Sequence, residues 1–138
     1  MSTKETRAII ERAIYLGMEN YELIADELLA EDVVNHGPGK DDFGREAYKR
    51  RQAQFLDSFT NMKWTVDAAF ADGNMGCVRY TFAGIHTGAL ESIAPTPKRV
   101  TMSGVTVARI SNGKVVELWA HPDRLGLLEQ LGVLPAVY

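Results

Sequence analysis

The stretch KVVELWAHPDRLGLLEQLGVLP, residues 114–135, changes its hydrophobic period half-way along. Val115, Glu117, Trp119 and His121 alternate with Val116, Leu118 and Ala120, which is the period of two that a strand shows. Pro122 has no N–H to give to a ladder, so the strand is expected to end there. Asp123 then stands at a helix N-cap position, ahead of Leu125, Leu127, Leu128 and Leu131. Gly132 stops that helix and Pro135 follows it. One strand thus runs into one short helix, with His121 and Asp123 at the junction. That junction makes Asp123 and His121 the candidate catalytic residues.

The period of two extends upstream from here. Arg99 to Ile110 is the preceding strand, joined through the hairpin turn Ser111-Asn112-Gly113. Gly88 to Lys98 is a loop with two prolines. Met75 to Thr87 is a long strand, and its face Val78, Tyr80, Phe82, Gly84, His86 opposes Cys77, Arg79, Thr81, Ala83, Ile85. Asp72-Gly73-Asn74 is a tight turn after the strand Lys63 to Ala71, which carries Trp64, Val66, Ala68 and Phe70 on one face. Before Asn61 the period is 3.6. Helices are expected over residues 3–17, 20–29 and 43–59, the last marked by Ala47, Tyr48, Arg51, Phe55 and Phe59. Val33 to His36 is a short extended piece, broken by Gly37-Pro38-Gly39.

Helices first, then a meander of strands, then a short helix is α+β segregation in a single domain over residues 1–138. A curved, four-stranded antiparallel sheet with helices on its concave side would leave a cone-shaped pocket. Gly84 and Gly104 sit mid-strand, where glycine marks a bend or a bulge.

Composition narrows the function. The chain has 138 residues, 46% of them hydrophobic, enough for a substantial core. A net charge of −3, with no dense Lys/Arg cluster, argues against nucleic acid as a partner. The lone cysteine, Cys77, has no internal disulfide partner. No CxxC, HxH or HExxH spacing occurs, so no metal site is expected. MSTKETRAII, residues 1–10, lacks the apolar run of a signal peptide. No segment approaches the roughly 18 apolar residues of a membrane helix. A cytoplasmic, reducing compartment with no membrane contact is the expectation.

Several quoted pieces together resemble a known family. VVNHGPG (33–39), FGREAYKRR (43–51), FAGIHTGAL (82–90), APTPKRVTMSGVTVARISNGKVVELW (94–119) and DRLGLLEQLGVLP (123–135) are similar to the SnoaL-like polyketide cyclases of the nuclear transport factor 2-like (cystatin-like) superfamily. The resemblance implies a cone-shaped α+β barrel with a deep apolar pocket, often paired as a homodimer through the sheet. It implies an Asp near the end of the last strand as acid/base, here Asp123, in an intramolecular aldol closure of an anthraquinone-type ester without metal or cofactor. It implies Asn35, His36 and His86 as polar pocket positions, with Trp119 and His121 on the same wall. The His-Pro pair before Asp123 departs from the family pattern.

A single carboxylate can remove a proton beside a carbonyl and return one to the alkoxide, provided an apolar setting raises its pKa. Trp119, Met102, Leu125 and Phe82 would supply that setting. Tyr15 and Tyr48 would border the pocket mouth. Each assignment has a plainer alternative. Asp123 would be a helix cap, His121 a solvent-facing strand end, His36 a turn-shaping residue, and the tyrosines ordinary packing. Two functions follow. One is a cofactor-independent cyclase or isomerase for a small hydrophobic carbonyl compound. The other is a non-catalytic ligand-binding or homodimeric module of the same fold.

Overall fold

The chain alternates helices and strands before it settles into the sheet. The computed structural model describes residues 2–13 and 21–134. In chain order the elements are α1 (Thr3–Ala13), α2 (Tyr21–Leu28), β1 (Leu29–Gly37), β2 (Lys40–Phe43), α3 (Arg45–Leu56), β3 (Phe59–Asp72), β4 (Met75–His86), β5 (Arg99–Ser111), β6 (Lys114–Pro122) and α4 (Arg124–Gln130). No described helix is long and apolar enough to cross a membrane.

The strands form one six-stranded sheet in the order β2-β1-β6-β5-β4-β3. The expected sheet of four strands is therefore two strands short. β1 and β2 make an antiparallel hairpin about the Gly37-Pro38-Gly39 turn, and β1 lies parallel to β6. The sequence Lys-Asp-Asp-Phe of β2 carries no strand periodicity, so only its pairing with β1 reveals it. The third helix is shorter than expected. It begins after Gly44, whose φ is 91°, and Phe59 already belongs to β3.

Register shifts decide which faces look inward. A bulge between Val66 and Ala68 flips the face of β3. Trp64 packs inward against Phe82 and Tyr80, whereas Phe70, expected on the same face, is 62% exposed. The β4–β5 ladder runs without a shift through Gly84 and Gly104, but on the β3 side Gly84 stands opposite the irregularity between Thr60 and Lys63, so the expected bulge is met at Gly84 and not at Gly104. Both glycines clear space for aromatic rings: Phe82 beside Gly84 and Tyr80 beside Gly104.

Two buried clusters result. One gathers Ile10, Ala25, Leu29, Val33, Val78, Tyr80, Ala108, Ile110, Val115 and Leu118 under α1 and α2. The other gathers Phe59, Phe82, Leu90, Val100, Met102, Leu127 and Leu131 under α4. α1 is pinned at its start by Thr6 Oγ1, which donates to the Gly73 carbonyl at 2.7 Å. Residues from both clusters border the space left between the helices and the concave face of the sheet.

Candidate functional site

That space is a cavity of about 1390 Å³. Ile10, Val78, Ala108 and Leu118 contribute its wall from the first cluster, and Phe55, Met102 and Leu127 from the second. Exposed residues of the β1–β2 hairpin and of the loop after β4 also border it, Phe43 and Glu91 among them. Arg124 at the start of α4 reaches across to Glu91 at 3.0 Å. The volume suits a drug-sized or larger apolar ligand with a few fixed polar groups.

Those polar groups come mainly from the hairpin and α3. Asn35 on β1 is 3% exposed and Asp42 on β2 is 7% exposed. They stand opposite one another in the ladder, and Asn35 Nδ2 donates to Asp42 Oδ2 at 3.3 Å. Arg51 of α3 pairs with the same oxygen. The ionised carboxylate only accepts, so it fixes which way the Asn35 amide points. Asn35 Oδ1 is then left buried and, among the described residues, without a donor.

Two phenols join them. Tyr48 of α3 and Tyr80 of β4 both line the cavity. Burial pushes the Tyr80 hydroxyl up to about 12. The Tyr48 hydroxyl is raised further, by burial first and then by the neighbouring Tyr80 and Asp42. Both phenols therefore remain neutral donors through the physiological range.

The residues expected to act at the end of β6 are outside the cavity wall. The inner positions of β6 that line the cavity are Leu118, Ala120 and Pro122. Glu117, Trp119 and His121 alternate with them and emerge on the outer face, where His121 is exposed. This corrects the placing of Trp119 and His121 on the pocket wall. Asp123 is exposed too. Its Oδ1 accepts from the Gly126 N–H at 3.0 Å and caps α4.

His36 also corrects the expectation, because it follows Asn35 on β1 and so turns outward. It stacks on Trp119 with centroids 5.5 Å apart and bonds Glu117 and Asp41. His86 is fully buried and lies beside the cavity rather than in its wall. Its Nδ1 accepts from the Thr96 backbone N–H at 3.1 Å, which holds the loop before β5 and leaves the proton on Nε2. Phe82 stands behind the wall, edge-on to Phe55 and Phe59. Met102 does line the cavity. Tyr15 lies outside the described residues. Among those described, no group of three or more His, Cys, Asp or Glu is placed to hold a metal ion.

Sequence reasoning missed Asp42 and Arg51. One signal was available: Arg51 recurs at helical spacing with Tyr48 and Phe55, and an arginine on an apolar stripe needs a buried partner.

Comparisons with known proteins agree with this architecture. The family model for SnoaL-like polyketide cyclase matches residues 19–131. No curated protein matches the chain. Among solved structures, a candidate SnoaL-like polyketide cyclase from Jannaschia sp. CCS1 superposes with a TM-score of 0.88 at 16% identity, covering 96% of this chain and 95% of that one. AclR of Streptomyces galilaeus, described as a candidate hydroxylase, gives 0.85 at 25% identity over 99% and 87%. IdmH of Streptomyces antibioticus, a candidate polyketide cyclase, gives 0.80 at 24% identity over 93% and 99%. With a family match over most of its length, and helices packed on a curved sheet around a cavity, the chain belongs to the SnoaL-like polyketide cyclase family.

Proposed function

We propose that the protein is a cofactor-independent cyclase or isomerase for a hydrophobic, polyketide-like carbonyl compound, with Asp42 as its acid/base. One observation carries this reading: a buried carboxylate, held by Asn35 and Arg51, in the wall of a large cavity that also presents two neutral phenols. Asn35 and Arg51 both engage Oδ2. Oδ1 is the oxygen that meets substrate.

The chemistry is an aldol closure. Asp42 takes a proton from the carbon beside a carbonyl, and the C–H electron pair moves onto that carbonyl as an enolate. The enolate carbon bonds to a second carbonyl carbon of the same molecule. The resulting alkoxide takes the proton back from Asp42, so no atom is gained or lost. Tyr80 is a donor for the enolate oxygen, because a phenol that ionises only near 12 stays protonated throughout the cycle. The orphaned Asn35 Oδ1 would accept from a ligand hydroxyl or enol.

The test is turnover of an anthraquinone-type ester bearing a side-chain ketone, followed by product mass. Asp42→Asn should lower the rate by about a hundredfold or more, the scale of general acid/base catalysis, while Asp123→Asn leaves it near wild type. Loss of activity in the Asp123 variant alone would return the acid/base to the end of β6.

A second reading has its own support. No titratable side chain of β6 faces the cavity, and Asp123 is committed as a cap. The protein would then be a ligand binder. Saturable binding of the ester with no turnover would favour that reading.

A further inference from the structure

Asn35 and His36 are consecutive on β1, so they leave the sheet on opposite faces. Their partners on β2 are consecutive as well: Asn35 stands opposite Asp42, and His36 opposite Asp41. The inner pair lies in the cavity wall. The outer pair belongs to a line of charges. His36 Nδ1 is 3.1 Å from Asp41 Oδ1, His36 Nε2 is 2.7 Å from Glu117 Oε2, and Arg109 Nη2 is 3.1 Å from Glu117 Oε1. Carboxylates only accept, so an imidazole bonded to one at each nitrogen carries both protons. That imidazolium ties β2, an edge strand of four residues, to β6 within the sheet.

We propose that His36 is a positioning residue, which clamps Asp41 of β2 to Glu117 of β6 on the outer face and thereby fixes where Asp42 stands in the cavity. This rests on the reading of Asp42 as the acid/base. β2 is an edge strand of four residues, and the clamp adds a tie to β6 that its ladder with β1 and the Asn35 and Arg51 bonds to Asp42 do not supply. The charged groups acting on the imidazole are Glu117 from β6 and Asp41 from β2. Arg109 from β5 reaches it through Glu117, and β1 itself adds none. The Glu117 hydrogen bond, with Asp41 behind it, raises the His36 pKa above its ordinary 6.5. The clamp is closed below that raised pKa. It opens as pH rises through it, because one nitrogen then loses the proton that one carboxylate needs.

The test reads the inner face without any substrate. The side-chain amide of Asn35, bonded to Asp42, is followed by NMR against pH alongside the His36 ring. Both should titrate with one midpoint. Glu117→Gln should move both midpoints down together, and His36→Gln should hold the Asn35 amide at its high-pH position throughout. An Asn35 amide that stays flat while His36 titrates overturns the inference, as does a Glu117→Gln midpoint that moves for His36 alone. If turnover is found, kcat/KM should fall above the His36 midpoint, and that limb should vanish in His36→Gln. Coupled titration in a protein with no turnover would sink the catalytic reading and leave the clamp standing.

Discussion

Tyr80 lies across Gly104, its ladder partner on the neighbouring strand, so closely that a Cβ at residue 104 would collide with the phenol ring and its hydroxyl. The glycine is what lets a tyrosine lie flat on the inner face of the sheet and still line the cavity. Gly104→Ala should force the ring off its position. Overpacking of this kind costs about 1–3 kcal/mol, and a urea titration should show it as a lower midpoint at unchanged slope. Ligand affinity should fall as well, because the displaced ring takes up cavity space.

Tyr80→Phe keeps the ring and removes only the donor. Turnover should fall by about a hundredfold, the cost of one preorganised donor to a developing oxyanion, with little change in ligand affinity. The same variant has a pH signature. The Tyr80 hydroxyl ionises near 12 when folded and near 10 when unfolded. Its neutral form therefore adds no pH dependence below pH 10, and stability drops between pH 10 and 12 as the unfolded chain ionises first. Alkaline denaturation of Tyr80→Phe should begin at higher pH than that of the wild type.

Asp123→Ala should act on stability alone. Removing a cap carboxylate costs about 1 kcal/mol, here from the loss of the Gly126 N–H bond. Chemical denaturation should register that loss, and the rate per folded molecule should not change. A large rate loss in this variant would contradict the placing of chemistry at Asp42.

The His36–Glu117 pair should give a stability optimum. Hydrogen bonds from His36 and then Arg109 lower the Glu117 pKa below its ordinary 4.5, so its contribution is full above 4.5 and lost as pH falls through the lowered value. The raised His36 pKa works in the other direction: its contribution is full below 6.5 and lost as pH rises through the raised value. The difference in melting temperature between wild type and Glu117→Gln should therefore be largest between about pH 4.5 and 6.5 and shrink on both sides.

The sequence by itself determined the α+β order, the family and the strand-to-helix junction at Pro122. Each of these rests on local chemistry: a period of two or 3.6, a proline without an N–H, a carboxylate at a cap. It also carried both roles of Asp123, since a cap and a catalyst want the same residue at the same place. Alternation holds along β6 only from Glu117 onward, since Val115, expected beside Glu117, is buried with Leu118, and alternation is in any case symmetric and names neither set as inner. Trp119 and His121 are the more suggestive set, and they face outward. What placed them there was register: β1 entering parallel to β6, and the bulge where Arg109 gives way to Ile110. The Asp42–Arg51 pair was hidden for a related reason. Its members sit on a patternless strand of four residues and on the next helix, and they meet only because the Gly37-Pro38-Gly39 turn folds β2 back along β1. Local pattern fixes elements, whereas which side chains share a cavity depends on pairings made between distant segments, and those only the tertiary structure decides.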